Sequence, residues 1–328
     1  MIKVLVVGGA GYIGSHVTRC LLDNGFSVTV YDNLSTGCKE NIFTGSEFVQ
    51  GDILDFPQLI KVMEQGFDGL VHLAALKSVG ESMSFPEKYS LNNITGTLNL
   101  LNAASQTGVQ NIVFSSSAAI YGEPQYCPID EKHRKSPQNY YGFTKLEIER
   151  FLEWYDRIKG MRFAALRYFN AAGYDVEGRV TGLEKNPANL LPIIMETASG
   201  KRSQLEVFGD DYDTPDGTCI RDYIHVSDLA NAHLLALKYL HRENKSGFFN
   251  LGSETGTSVL EMINSAREIT GKEIPVKIAG RRVGDPPNLI ASSSFAQKEL
   301  GWKAENSQVD TLIQSAWGVY KNHFKISD

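Results

Sequence analysis

Residues 1–25 read MIKVLVVGGAGYIGSHVTRCLLDNG. The apolar run Ile2–Val7 predicts a buried strand, and Tyr12–Asn24 has the apolar spacing of a helix that packs on that strand. Gly25 follows at the position where many helices end on a glycine. A strand that leads directly into a helix is the first unit of an alternating, parallel α/β fold.

The turn between this strand and this helix carries three regularly spaced glycines. Gly8 permits a tight turn, Gly11 lets the backbone approach a pyrophosphate, and Gly14 allows the helix to pack closely on the strand. The helix N-terminus then presents free N–H groups to an anion. Because any strand-to-helix turn favours glycine, this spacing alone also fits a purely structural turn.

Asp32 is the second sign of a dinucleotide site. It follows the predicted strand Ser27–Tyr31 and lies 32 − 14 = 18 residues after Gly14, close to the ~20 expected for a carboxylate that accepts a ribose 2′-hydroxyl. An ionised carboxylate repels a 2′-phosphate, and Asn33–Gly37 contains no arginine to bind one. The two signs together predict NAD rather than NADP.

Strand and helix patterns alternate through the first half of the chain. Further buried strands are predicted at Gly69–Leu73 and Asn111–Ser115. Further helices are predicted at Phe56–Gln65, Asn92–Thr107 and Tyr140–Arg157. This order predicts an α/β fold with a doubly wound parallel sheet, which is a Rossmann domain.

The alternation loosens after Asn170, although a helix is still predicted at Val226–Leu240. We therefore expect a Rossmann domain over residues 1–170 and a smaller, C-terminal α/β substrate domain over residues 171–328. Elements around residues 225–250 are expected to return to the first domain.

Tyr141 and Lys145 are one helical turn apart, so their side chains lie on one face of the predicted helix. A tyrosine with a pKa of ~10 is a weak base at neutral pH, but a neighbouring cation, assisted by an oxidised nicotinamide, stabilises the phenolate. Ser117 follows a predicted strand, at the edge of the sheet that faces the ligand crevice. These side chains together predict hydride transfer on an alcohol, whereas each pattern alone also fits an ordinary surface pair or strand-end turn.

The composition excludes several classes of function. The 328 residues are 42% hydrophobic and 21% charged, as in ordinary globular proteins. A net charge of -6 without a basic run argues against a nucleic-acid partner. We expect no membrane span and no signal peptide, because no apolar stretch has the necessary length. The four cysteines are too widely spaced for a metal site, so we expect reduced thiols in a cytoplasmic protein.

The order of these features resembles the extended short-chain dehydrogenase/reductase family. Within that family, five segments are similar to the UDP-galactose 4-epimerases: GGAGYIGS at 8–15, LKSVGES at 76–82, SSSAAIYG at 115–122, RYFN at 167–170 and RDYIH at 221–225. The resemblance runs nearly from end to end. It implies an NAD-dependent enzyme that interconverts UDP-galactose and UDP-glucose through a 4-keto sugar.

The resemblance also implies a role for individual residues. The chemistry is assigned to Ser117, Tyr141 and Lys145. The implied cofactor contacts, besides the three glycines, are Tyr12, Ile13, Asp32, Asn33, Asp52, Ile53, Ala74, Lys77 and Phe169. The implied contacts with the UDP-sugar are Asn93, Asn170, Asn189, Leu190, Phe208, Arg221, Arg282, Asp285 and Leu289. The family further implies a homodimer formed through the helices at 92–107 and 140–157.

Three departures from the family pattern concern the substrate. Many relatives have paired asparagines where this chain has Ala188 and Asn189, and residues 178–187 lack the usual Gly-Glu-Asp run. Leu289 aligns with a position beside the sugar that holds a tyrosine or a smaller side chain in relatives. Because leucine is smaller than tyrosine, we expect N-acetylated UDP-hexoses to be accepted as well.

Other activities are open at this point. A UDP-N-acetylglucosamine 4-epimerase, a UDP-glucuronate decarboxylase and a simple alcohol dehydrogenase share the same motifs. A 4,6-dehydratase is disfavoured, because Ala118 and Ala119 stand where such enzymes carry an acid pair. A non-catalytic NAD-binding regulator fits the fold, but has no need for Ser117, Tyr141 and Lys145 together.

Overall fold

The computed structural model describes residues 1–282 and 284–327. Two residues of the expected second domain, Val283 and Asp328, lie outside the described residues. A seven-stranded parallel sheet forms the centre of the N-terminal part, in the spatial order β10-β6-β5-β4-β1-β2-β3. Its strands are β1 Lys3–Val7, β2 Ser27–Asp32, β3 Ser46–Gln50, β4 Gly69–His72, β5 Asn111–Ser117, β6 Arg162–Tyr168 and β10 Gly247–Leu251.

Helices cover both faces of this sheet, as a doubly wound fold requires. One face is covered by α1 Tyr12–Asp23, α8 Val226–Glu243 and α10 Ser294–Leu300. The other face is covered by α2 Phe56–Met63, α5 Gly96–Thr107 and α6 Tyr140–Lys159. Apart from the edge strand β3, the strands are largely buried and contain apolar runs, which explains why β1, β2, β4 and β5 could be predicted as strands.

A second group of elements packs beside the carboxyl ends of the sheet. Its strands are β7 Asn170–Ala172, β8 Leu205–Phe208, β9 Ile220–His225, β11 Gly256–Ser258, β12 Val276–Ala279 and β13 Asn288–Leu289. Its helices are α7 Leu190–Ala198, α9 Val259–Thr270 and α11 Val309–Phe324, which share an apolar core of their own. The short helices α3 Val79–Ser84 and α4 Pro86–Tyr89 complete the chain between β4 and α5.

The parallel doubly wound sheet expected from the sequence is confirmed. The expected helix 92–107 differs in its first turn, because Ser90–Thr95 forms a π-helical turn before α5 begins at Gly96. The wider turn carries Asn93, whose backbone oxygen accepts a hydrogen bond from Thr97 Oγ1 and whose amide reaches the chain after β4. Strands β3, β6 and β10 were not predicted. β3 and β10 have only five residues each, and β6 follows α6 after only Gly160 and Met161. Among the described residues, no helix has both the length and the apolar character needed to cross a bilayer.

The buried histidines of this fold include His16, His72, His225 and His233. His16 shows why they stay neutral: its Nδ1 lies 2.8 Å from the carbonyl oxygen of Tyr12, while its Nε2 accepts the N–H of Asp175 at 2.9 Å. A second ring proton would face that N–H. Burial lowers the pKa of His72 to about 3 and the pKa of the other three to about 4.

We expect the free energy of unfolding to fall as the pH drops below 6.5. In that range the histidines of the unfolded chain bind protons, whereas the buried imidazoles of the folded protein stay neutral. The free energy of unfolding therefore keeps falling until the pH reaches the native pKa near 4. His233→Gln should reduce the difference in unfolding free energy between pH 7.5 and pH 5.0 by about 2 kcal/mol, measured by urea denaturation. The matched variant His241→Gln, exposed on the same helix, should keep the wild-type difference. An unchanged pH dependence in His233→Gln contradicts the expectation.

Candidate active site

The glycine turn forms a tight cradle at the start of α1. Gly8 has a left-handed φ of +84°, and a Cβ added to it would lie 2.7 Å from the backbone nitrogen of Ala74. A Cβ on Gly14 would lie only 2.0 Å from the carbonyl oxygen of Gly8. Gly11 is the N-cap residue of α1 and makes no side-chain cap, so the first N–H groups of the helix face outward. The turn can take this shape only with glycine at positions 8 and 14, and the uncapped helix N-terminus beside it fits a dinucleotide pyrophosphate.

Asp32 ends β2 directly beside this cradle. Its Oδ2 accepts the N–H of Ala10 at 3.0 Å, and its Oδ1 accepts the N–H of Leu34 at 2.8 Å. Burial raises the pKa of this carboxyl, while the two backbone hydrogen bonds act in the opposite direction. The carboxylate therefore holds the glycine turn in shape and has lone pairs left for ribose hydroxyls.

Most other residues predicted to contact the cofactor lie just after the carboxyl ends of β1, β2, β3 and β4. Asn33 donates from Nδ2 to Asp52 Oδ2 at 2.8 Å, which joins the ends of β2 and β3. Ile53 is buried beside them, and Tyr12 donates to the carbonyl oxygen of Gly173 at 2.5 Å. The crevice thus runs along the carboxyl ends of β3, β2 and β1 towards the second group of elements. Ile13 follows Tyr12 in the first turn of α1, Ala74 lies against Gly8, and Lys77 follows on the same chain segment.

Tyr141 and Lys145 lie on one face of α6, as the spacing predicted. The ammonium of Lys145 is buried, donates to the carbonyl oxygen of Ser115 at 2.7 Å, and lies 5.8 Å from the ring centroid of Tyr141. Asn139 is the N-cap residue of α6, two positions before Tyr141, and its side chain accepts the N–H of Gly142 at 2.8 Å. The cap fixes the first turn of α6, on which the phenol is carried.

The electrostatics of this pair are dominated by burial. Burial raises the pKa of Tyr141 to about 12, against the influence of a hydrogen bond with Ser117 that lowers it. Burial also lowers the pKa of Lys145 to about 7. The sequence argument expected Lys145 to lower the pKa of Tyr141, and in the protein alone desolvation outweighs that effect. Activation of the phenol therefore needs further positive charge, of the kind that an oxidised nicotinamide carries.

The last three residues of β5 face different parts of this site. Ser115 holds Lys145 through its carbonyl oxygen, and its hydroxyl accepts from Tyr168 at 3.0 Å. Ser116 turns away and donates to Glu149 at 2.6 Å. Ser117 lies at the strand end beside Tyr141 and caps the following short helical turn through the N–H of Ala119. Only Ser117 is therefore placed to reach an oxygen held by Tyr141.

Several residues predicted to bind substrate come together on the second group of elements. Arg221 on β9 forms an ion pair with Asp285, although 64 residues separate them, and the guanidinium of Arg282 lies 3.8 Å from the ring centroid of Phe208. Arg221 does not pair with its sequence neighbour Asp222. Asp222 is buried and accepts instead from the backbone and hydroxyl of Ser253 and from two further N–H groups.

The three asparagines predicted to bind the substrate differ in burial and in hydrogen-bond partners. Asn170 donates to the carbonyl oxygen of Asp222 at 3.1 Å, and Asn189 is exposed at the start of α7, immediately before Leu190. Asn93, by contrast, is fully buried. Its amide oxygen accepts the N–H of Leu76 at 2.9 Å, and its amide nitrogen donates to the carbonyl oxygen of Leu76 at 3.0 Å. The same nitrogen donates to the hydroxyl of Thr144 at 3.2 Å. The amide of Asn93 is therefore bound between the chain that follows β4 and the helix that carries Lys145.

Leu289 lies between the two groups of elements. In β13 it pairs with Arg221 of β9, and its side chain packs with Phe169 against a small cluster that contains Ala118 and Leu146. Those two residues directly follow Ser117 and Lys145. The side chain at position 289 is thus within the same small cluster as the neighbours of the predicted catalytic residues.

Two charged contacts around this site were missed in the sequence. Glu149 makes a buried ion pair with Arg167, and Lys77 makes an ion pair with Glu184. Helical spacing was a signal for Glu149, since it lies one turn after Lys145. No local pattern marks Glu184, because its partner is more than 100 positions away in the chain.

Comparison with known proteins identifies relatives that cover the whole chain. Residues 4–252 match the NAD dependent epimerase/dehydratase family. The UDP-glucose 4-epimerase of Lacticaseibacillus casei is 49% identical over 322 residues, which are 98% of this chain and 97% of that protein. The structure of UDP-glucose 4-epimerase from Brucella ovis in complex with NAD matches with a TM-score of 0.95 at 45% identity, covering 98% of each chain. The UDP-Glc/GlcNAc 4-epimerase of Campylobacter jejuni matches with a TM-score of 0.86 at 40% identity, over 98% of this chain and 100% of that one.

Proposed function

The chain belongs to the NAD dependent epimerase/dehydratase family, and we propose that it interconverts UDP-glucose and UDP-galactose with NAD as its resident cofactor. The observation that carries this proposal is the position of Tyr141, Lys145 and Ser117 at one end of the cofactor crevice. When bound, NAD accepts a hydride from C4 of the sugar and returns it to the other face of the resulting 4-keto sugar.

The protein's own residues control the proton and the alcohol. Ser117 donates to or accepts from the C4 oxygen and holds it beside Tyr141. Tyr141 removes the hydroxyl proton and returns it once the hydride has been given back. Lys145 stabilises the phenolate from the same helix face. Ala118 and Ala119 supply no acid or base for the loss of water, which favours epimerisation over dehydration.

The UDP group is assigned to the second group of elements. Arginine forks bind diphosphate oxygens in pairs, which suits Arg221 and Arg282, and Asp285 suits ribose hydroxyls. The ring of Phe208, under the guanidinium of Arg282, offers an apolar face for the base. We assign Asn189 and Leu190, at the start of α7, and Asn170, on β7, to the same ligand.

This assignment divides the chain into two functional parts. Residues 1–170 hold NAD, and residues 171–328 mainly hold the UDP-sugar. The segment 225–250 belongs with the first part, since α8 packs on α1 and β10 extends the NAD-binding sheet beside β6. The reacting carbon therefore lies where the two parts meet.

Tyr141→Phe should reduce kcat for UDP-galactose by about 10²- to 10⁴-fold, because the variant lacks the group that accepts the proton. It should keep its bound NAD, measured by extraction of the purified protein. The assay is conversion of UDP-galactose to UDP-glucose without added reductant. The matched variant Tyr140→Phe loses only a hydrogen bond with Ser90 and should stay active. Full activity of Tyr141→Phe, or steady release of NADH by the wild type, contradicts the proposal.

We propose in addition that N-acetylated UDP-hexoses are accepted. The support is Leu289, a side chain smaller than tyrosine at the meeting point of Phe169, Arg221 and the residues next to Ser117. The relative from Campylobacter jejuni, whose name includes both sugars, adds to this support.

Leu289→Tyr should lower kcat/KM for UDP-N-acetylglucosamine by about tenfold or more, because the larger ring crowds the acetamido group. Turnover of UDP-galactose should change by no more than about threefold, measured in the same coupled assay. Leu289→Met keeps the side-chain volume and serves as the control that retains both activities. Equal loss of both sugars in Leu289→Tyr argues against a role in selecting the substrate.

We propose a homodimer formed around α6. Phe143, Trp154 and Ile158 form an apolar stripe on one side of this helix, and Trp154 and Ile158 are 56% and 68% exposed. The ion pair of Glu147 and Arg150 lies between Phe143 and Trp154. Met83 on α3 lies next to the stripe, because its sulfur accepts the N–H of Tyr140 at 3.4 Å. Exposed apolar residues that meet their own copies across a two-fold axis fit such an interface.

Trp154→Asp should convert the dimer to a monomer, because it places a charge in the middle of the apolar stripe. Sedimentation velocity gives the mass of each species. Ile278→Asp introduces the same charge at an exposed apolar residue of β12 and should leave the dimer intact. A monomeric wild type, or a Trp154→Asp protein of unchanged mass, contradicts this interface.

We also propose a cytoplasmic location. Cys20, Cys38, Cys127 and Cys219 are all free thiols, which suits a reducing compartment. Recovery of the epimerase activity in an oxidising compartment after cell fractionation contradicts this.

A further inference from the structure

Glu149 continues the catalytic face of α6 by one more turn. Tyr141, Lys145 and Glu149 are each four residues apart, so all three side chains point to the same side of the helix. Glu149 is only 2% exposed, and its carboxylate lies behind Lys145, away from solvent. The mechanism described above gives it no role.

The carboxylate of Glu149 is completely bound by neighbouring strands. Arg167 on β6 donates to both of its oxygens, at 2.8 and 2.7 Å, and Ser116 on β5 donates at 2.6 Å. Arg167 also donates to the phenol of Tyr121 at 3.0 Å, and that phenol donates to Asn250 on β10 at 2.6 Å. One buried network therefore ties α6 to three adjacent strands.

The network connects directly with the catalytic residues through β5. Ser115 binds Lys145, Ser116 binds Glu149, and Ser117 faces Tyr141, so three successive residues of one strand contact three successive turns of one helix. A rotation of α6 about its axis would turn the phenol of Tyr141 and would break the contacts of Glu149. Glu149 thus sets the angle at which the helix presents its catalytic face.

We propose that Glu149, held by Ser116 and Arg167, is a positioning residue that orients Tyr141 and Lys145 and keeps the Lys145 ammonium charged in its buried site. This inference rests on the proposed function of Tyr141 and Lys145. It adds residues that do not contact the substrate but whose removal alters the pH dependence of catalysis by Tyr141 and Lys145.

The charges around Lys145 determine the direction of the effect. Burial lowers the pKa of Lys145, and the carboxylate of Glu149 acts against that shift. From the other elements, Lys145 faces His72 on β4, which burial keeps neutral, and the phenol of Tyr168 on β6, which reaches it through Ser115. Glu149 therefore supplies the negative charge that favours the ammonium, while its partner Arg167 lies on the far side of the carboxylate.

Without the carboxylate, the burial of Lys145 is unopposed and its pKa falls further. The ammonium is then lost at a lower pH, and the neighbouring phenol of Tyr141 ionises less readily. The alkaline limb of the pH dependence of kcat therefore moves to lower pH, while substrate binding, which depends on other residues, stays the same.

The first test compares Glu149→Gln with Glu196→Gln in the full-length protein carrying NAD. Glu196 is an equally buried glutamate on α7 that pairs with Lys201 and Arg202, far from α6 in the chain. Glu149→Gln should lower kcat at neutral pH by about tenfold and move the alkaline limb by about one pH unit, with KM within about twofold. Glu196→Gln should lose stability but keep the pH profile.

A second readout does not depend on turnover. The ultraviolet absorbance of the Tyr141 phenolate is obtained by subtracting the titration of each protein's Tyr141→Phe version, which cancels the other tyrosines. Glu149→Gln should move the midpoint of this titration to higher pH. If the wild type fails to epimerise UDP-sugars, the proposed function fails, and this titration still decides whether Glu149 acts on the pair.

Ser116→Ala covers the case in which Glu149→Gln does not fold. It removes one hydrogen bond of the carboxylate and leaves its charge paired with Arg167, so we expect shifts in the same direction but smaller. If the pH profile and the Tyr141 midpoint both stay at their wild-type values in the folded variants, Glu149 is a structural residue only and the proposal is overturned.

Discussion

The parallel pairing of β1 with β2 on one side and β4 on the other is the constraint on which the site depends. Because the chain order reverses at β1, the loops after β1 and β4 diverge and leave a crevice at their carboxyl ends. The glycine turn fits there only without side chains, since the backbone of Ala74 closes on Gly8. Asp32 then fastens the turn from β2 through the N–H of Ala10.

The second requirement is that the buried side chain of Lys145 keeps its positive charge. Lys145 is desolvated between β5 and α6, a position that favours the neutral amine. The protein does not relieve this by exposing the lysine to water. It places a backbone carbonyl against the ammonium and, one turn further, a carboxylate that is itself neutralised by Arg167. A buried ion pair of this kind contributes little net stability, which makes a role in orienting the helix the more informative interpretation.

The two parts of the chain are joined by polar contacts on the cofactor side. The phenol of Tyr12 reaches Gly173, His16 accepts the N–H of Asp175, and Lys77 pairs with Glu184. Each of these contacts links a residue near the crevice with the chain that follows β7. These contacts therefore fix the second group of elements relative to the glycine turn and to the chain that follows β4.

The sequence by itself determined the features that depend on residues within about one or two neighbouring secondary-structure elements. These are the glycine turn, the carboxylate after β2, the helix face of Tyr141 and Lys145, and the alternation that specifies a parallel sheet, because hydrophobic period and residue spacing are local properties. Its resemblance to known epimerases added the residue roles. Only the tertiary structure decided that Arg221 pairs with Asp285, that the amide of Asn93 is bound by the backbone of Leu76, and that Glu149 is bound by Ser116 and Arg167. Those contacts join residues that lie up to 64 positions apart, and their energies depend on burial and distance, which exist only once the strands have paired.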